Sequence, residues 1–149
     1  MDFLTFFDND FKILMPELYL FTATLILLSY GVLYSTSRML DYPSIQLNVG
    51  WLSIFSLTIT LFLYLGTPVT TMSAFNDMLI IDSFSSFMKI LIVISSIVCC
   101  LMSLTYLENK KVNSFEYFIL ILLATIGMLC LVSTNDLLGL YMSIELMSL

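Results

Sequence analysis

The chain of 149 residues contains no histidine. That excludes a His-ligated haem, a zinc–histidine site or a histidine general base supplied by this chain alone. Charge is scarce as well, at 11% of residues, where an ordinary soluble domain carries roughly 25%. Basic residues are the rarer sign, five Lys and Arg against eleven Asp and Glu, for a net charge of −6. Such a balance argues against nucleic acid as a partner. The three cysteines, Cys99, Cys100 and Cys130, lie inside apolar stretches without metal-ligand spacing and read as small hydrophobes. There are only three alanines beside many Phe, Ile, Leu and Tyr, the composition expected of an AT-rich genome. The first residues, MDFLTFFDNDFKILMPE, hold Asp2, Asp8, Asp10 and Glu17 against a single Lys12. A secretory leader has a basic start and a mitochondrial transit peptide is Arg-rich, so insertion without a cleaved address is expected.

What is present in abundance is apolar length. Hydrophobic residues make up 60% of the chain and the mean hydropathy is +1.03. The apolar runs are continuous over nearly the length of a membrane crossing, so they predict helices and not the short alternating segments of a barrel. The expected fold is all-α: a polytopic transmembrane helix bundle of four full helices plus an incomplete fifth, forming a single membrane domain over residues 1–149. The helices are placed at about 16–35, 47–65, 83–106, 115–132 and 136–149.

Ahead of the first helix, Phe3, Leu4, Phe6, Phe7 and Phe11 among acids read as an interfacial lead-in. Pro16 and Glu17 then read as the helix start, proline suiting the first turn and an acid complementing the N-terminal dipole. Trp51 reads as an interface anchor near the entrance of the second helix. Val69 to Asp82 is too polar to span, and Met78–Ile81 within it suits a short strand at the membrane surface. Lys89, two turns inside the third helix, is expected to snorkel to the interface or to pair with Asp82. Arg38, Lys110 and Lys111 fall in the first and third connections. By the positive-inside rule these face the side of synthesis and the N-terminus faces out.

The last stretch holds the strongest functional signal. After the turn Ser133-Thr134-Asn135-Asp136, the fifth helix carries one carboxylate, Glu145. Nine residues past Asp136, it lies roughly 14 Å deep at 1.5 Å per residue, close to the bilayer midplane. An ionisable group at that depth is a candidate functional site by default. Leu138, Tyr141 and Leu149 share its side at helical spacing, while Gly139 and Ser143 form a small-xxx-small pair on the opposite side. The fifth segment reaches only about 20 Å, short of the ~30 Å hydrocarbon, which suits a helix docked against something polar.

The stretch FEYFILILLATIGMLCLVSTNDLLGLYMSIELMSL (115–149) resembles the antiporter-like core of subunit 2 of NADH:ubiquinone oxidoreductase, respiratory complex I. The shared features are Phe115-Glu116, Gly127-Met128 at a helix centre, the turn Ser133 to Asp136, and Leu140 to Leu149 with its Ile-Glu-Leu-x-Ser-Leu end. Met15 to Trp51 and Met78 to Phe84 look similar too, so the resemblance spans all but about the first dozen residues. It implies the N-terminal part of a split mitochondrial subunit, a multi-pass inner-membrane protein whose N-terminus faces the intermembrane space. It further implies that Glu145 is the helix-5 glutamate of a proton-translocation channel, paired with a lysine on a later helix of the C-terminal fragment. Lys89 is not read as a substitute for that lysine. The implied partners are that fragment, other membrane-arm subunits and membrane lipids. NADH, FMN, iron–sulfur clusters and ubiquinone would lie elsewhere in the complex, none of them bound by this chain. Two other readings compete: a non-catalytic membrane scaffold or accessory subunit, and a subunit of a related cation/proton antiporter. Co-migration with NADH dehydrogenase activity on a native gel separates the antiporter reading. A second chain resuming the pattern inside the fifth helix separates the scaffold.

Overall fold

A computed structural model describes residues 3–35, 42–66, 72–75, 78–110 and 115–148. Its elements in chain order are α1 (Phe3–Ser35), α2 (Tyr42–Gly66), β1 (Met72–Ala74), β2 (Leu79–Ile81), α3 (Ser83–Lys110), α4 (Glu116–Ser133) and α5 (Leu137–Ser148). Among the described residues four stretches are apolar and long enough to cross a membrane: Leu14–Tyr34, Ile45–Gly66, Ser83–Glu108 and Glu116–Ser133. The fifth helix is shorter, as the sequence implies. The protein is a polytopic helical membrane protein.

Three boundaries differ from the sequence reading. The helix placed at 16 begins at Phe3, with Pro16 buried inside α1 instead of opening it. Proline removes one intrahelical bond, and membrane helices tolerate the loss where neighbours compensate. The side chains of the lead-in lie outside the described residues. α2 starts at Tyr42, five residues early, so that Pro43 falls in its first turn, where a missing N–H costs nothing. α3 runs on past Tyr106 to Lys110.

The packing is a ring of four helices with the fifth added at one side. α1 packs on α2, α2 on α3, α3 on α4, and α4 closes the ring on α1. α5 packs on α4 alone among the described helices. The core is built from Leu20, Val49, Leu57, Val93, Leu122 and Leu129, with Phe118 and Cys100 toward one end. Two glycines allow the close approaches there. A side chain at Gly31 would meet the Phe115 ring at 2.5 Å, and one at Gly50 would meet Leu104 at 2.4 Å.

At the other end the strand expected at 78–81 is found as β2. It pairs antiparallel with β1, Met72 opposite Ile81 and Ala74 opposite Leu79. Phe75 takes a left-handed backbone conformation (φ 55°) where the chain leaves β1. Leu79 also bridges to Thr134, and the Asn135 amide donates to the Met78 carbonyl at 2.9 Å. The hairpin and the α4–α5 turn therefore form one cap on one end of the bundle. Arg38 and Lys111, two of the charges that orient the chain in the bilayer, lie outside the described residues, as does the Lys110 side chain.

Candidate functional site

Two carboxylates matter, and they sit in opposite settings. Glu145 is two turns into α5 from Leu137, about 12 Å along the axis. It is exposed, and the Tyr141 hydroxyl one turn earlier donates to its Oε1 at 2.9 Å. Leu138 and Tyr141 are exposed with it, the shared side expected from their spacing; Leu149 lies outside the described residues.

The opposite side of α5 holds the helix on α4. Ser143 is buried there and donates back to the Gly139 carbonyl at 2.7 Å. A side chain at Gly127 of α4 would come within 2.8 Å of the Met147 amide nitrogen and 3.1 Å of the Ser143 carbonyl oxygen. Gly127 is thus the small residue that lets the backbones touch, the kind of contact that drives helix association in lipid. Gly139 instead sits against Thr134, within its own turn. The arrangement presents Glu145, with a hydroxyl donor beside it, on a face that the described residues leave uncovered.

Lys89 overturns its sequence reading. It neither snorkels nor pairs with Asp82; its side chain is 2% exposed and its Nζ donates to Glu17 Oε1 at 2.6 Å. Asp82 is occupied differently: its amide donates to Ser85 Oγ at 2.8 Å, and Ser85 Oγ donates to the Asp82 carbonyl at 2.9 Å. Both bonds join Ser85 Oγ to the Asp82 backbone and tie down the first turn of α3, while Lys89, one turn beyond Ser85, is buried in the core. Glu17 is likewise not a dipole-complementing acid at a helix start but a buried ion-pair partner, its side chain 6% exposed. α2 contributes the ring of Tyr64, whose centroid lies 5.8 Å from Lys89 Nζ, within cation–π range. α4 contributes the half-buried thiol of Cys130 to the surroundings of the pair.

The ion pair spans a diagonal of the bundle, joining α1 to α3, two helices that do not otherwise pack on each other among the described elements. The sequence offers two ionisable residues inside apolar helices that run in the same direction, and the packing sets that they face each other.

Other possibilities are weaker. The groove of about 260 Å³ between α3 and α4, lined by Met102, Ser103, Tyr106, Leu107 and Tyr117, offers no carboxylate or ammonium. Among the described residues no three His, Cys, Asp or Glu side chains converge as metal ligands. Cys99, Cys100 and Cys130 are spread over two helices, and this donor set does not fit an iron–sulfur cluster.

Compared with protein-family models, the chain matches none. Compared with curated proteins, it is 43% identical over 144 residues to NADH-ubiquinone oxidoreductase chain 2 of Marchantia polymorpha, covering 96% of this chain and 29% of that protein. The chain belongs to that family. The Arabidopsis thaliana protein of the same name is 39% identical over 95% of this chain and 29% of its own length. A bacterial relative, NADH-quinone oxidoreductase subunit N of Beijerinckia indica, is 43% identical over 91% of this chain and 27% of its own length. The chain therefore spans less than a third of the length of the chain 2 and subunit N proteins it matches.

Proposed function

We propose that this chain is a membrane-arm component of a proton-translocating NADH:quinone oxidoreductase, and that Glu145 is its proton-transfer residue. The observation that carries the role is the setting of Glu145: a carboxylate two turns inside an apolar helix, held by Tyr141, on a face turned away from α4. An isolated carboxylate in hydrocarbon favours its neutral form, and a nearby ammonium favours the ionised one. A group poised between these states by a movable cation can take up and release a proton. The lysine expected as that cation belongs to the two thirds and more of the relatives' length that this chain does not span. A separate C-terminal polypeptide carrying that remainder is the expected partner, beside other membrane-arm subunits and lipid. The plant relatives favour the mitochondrial inner membrane. The positive-inside reading of Arg38, Lys110 and Lys111 puts the N-terminus, and with it the cap of hairpin and α4–α5 turn, toward the intermembrane space.

On this reading the chain performs no electron transfer itself. NADH, FMN, iron–sulfur clusters and ubiquinone are held by other parts of the complex.

Glu145→Gln in the assembled complex keeps the shape and the Tyr141 contact while removing the titrating group. Proton translocation per electron is expected to fall several-fold, with the amount of complex on a native gel unchanged. Full translocation by a fully assembled variant contradicts the role.

A further inference from the structure

The first four helices hold a second ionisable site that the role of Glu145 does not use. We propose that the Glu17–Lys89 pair, with Tyr64 beside it, is a proton-binding relay inside the α1–α4 bundle. The proposal rests on the reading of the assembly as proton-translocating, and not on Glu145 being its proton carrier.

Three observations carry it. First, the pair is buried, with side-chain exposures of 2% and 6%. Lys89 reaches Glu17 Oε1 at 2.6 Å, the Tyr64 side chain hydrogen-bonds to the same carboxylate, and the Tyr64 ring lies 5.8 Å from the ammonium. Buried ion pairs are weak stabilisers because desolvation offsets the Coulomb attraction. A carboxylate, an ammonium and a hydroxyl held together away from solvent form a polar network in which a proton can change hands.

Second, the pair has a polar entrance. Asp82 is exposed at the cap, Ser85 is buried one turn below it, and Lys89 follows one turn deeper on the same face of α3. Each step is about 5.4 Å along the axis.

Third, the pair has a polar continuation. Two turns further in on their own helices lie Thr24 of α1 and Ser96 of α3, both buried. α2 runs back toward the pair with Ser53, Ser56 and Thr60 buried along one face and Tyr64 at its end. Each of these five hydroxyls donates to a carbonyl three residues earlier in its own helix, so each retains lone pairs for a passing proton or water.

The transfer balances simply. Glu17 Oε2 accepts a proton, giving a carboxylic acid beside the Lys89 ammonium. The ammonium releases one of its protons to the next acceptor and becomes an amine. The carboxyl group then turns over to bring its protonated oxygen to the amine, in the place Oε1 holds at 2.6 Å, and gives up the proton, restoring carboxylate and ammonium. One proton has entered and one has left. The charged and titratable groups around this site are Glu17 on α1, Tyr64 on α2, Lys89 on α3 with Asp82 at its entrance, and Cys130 on α4.

The test uses membranes holding the assembled complex and measures protons moved per electron beside NADH:quinone turnover. The double variant Glu17→Gln, Lys89→Met removes both charges together, so no buried charge is left unpaired. It is expected to assemble, to keep electron transfer, and to lose translocation several-fold. Translocation equal to the parent overturns the relay and leaves a structural lock. Glu17→Asp covers the case of a double variant that fails to accumulate, since it keeps the charge and shortens the reach by one methylene. A relay slows several-fold in it, whereas an unchanged proton stoichiometry and rate overturns the proposal. Glu145→Gln run in parallel separates the two readings. Loss in Glu145→Gln alone removes the Glu17–Lys89 relay, and loss in the double variant alone removes the Glu145 role.

Discussion

The α1–α4 ring and α5 treat an intramembrane carboxylate in contrary ways. In the ring, Glu17 meets its cation within the same chain, across a bundle diagonal and away from solvent. On α5, Glu145 has a neutral donor, Tyr141, and a bare apolar face around it. The first arrangement is closed, since the charges cancel without help from another subunit. The second is open, and is completed by whatever covers α5. The contrast separates what the bundle needs to hold together from what it offers to a neighbour.

The sharpest way to break the comparison is to open the closed half. Lys89→Met alone leaves Glu17 buried without its cation, a change expected to cost about 3–5 kcal/mol. The chain should then fail to accumulate in the complex, as read on a native gel, while Glu145→Gln accumulates normally. If Lys89→Met assembles like the parent, the ion pair is not a closed unit. Next in size is the seam between the halves. Gly127→Val places a side chain within contact distance of the Met147 and Ser143 backbones, and overpacking of this kind costs about 1–3 kcal/mol. It is expected to loosen α5 while sparing the ring, so that protease or hydrogen-exchange protection falls in 137–148 and not in α1–α3. Equal loss in both regions would show that the two halves do not act separately. The smallest effect belongs to Tyr141→Phe, which removes one exposed hydrogen bond worth about 1 kcal/mol or less. Assembly should be unchanged and proton translocation only slightly slowed, well short of the Glu145→Gln loss. An effect as large as that of Glu145→Gln would make Tyr141 a proton carrier in its own right.

Much of this was legible from the residues because hydropathy alone decides which segments enter a membrane. All four spans and the shorter fifth helix follow from apolar runs, and Leu79–Ile81 from a short apolar island between polar residues. The exposed side of Glu145 and the packing side of Ser143 follow from helical spacing. Pro16 was misplaced because proline suits a helix start on local grounds, while a membrane helix tolerates it in the interior. The Glu17–Lys89 contact escaped for a different reason. Its partners are 72 residues apart, and one sequence says how deep each residue lies but not which helix faces which. Read by its own neighbours, each residue suggests a local use, dipole complement or snorkel. Gly127 reads as a helix centre in the sequence, and its use as the seat of the Ser143–Met147 backbone is set by the helix crossing.

The bridge from Leu79 to Thr134, with the Asn135 amide on the Met78 carbonyl, makes the cap a mechanical linkage. α5 hangs from a turn whose strand-like edge is stitched to the hairpin between α2 and α3. Any tilt of α5 on its Gly127 seat must either drag the hairpin or release those bonds. The surface loop thus works as a dial for the buried helix: a probe attached near Met78, outside the hydrocarbon, reads the angle at which Glu145 is presented.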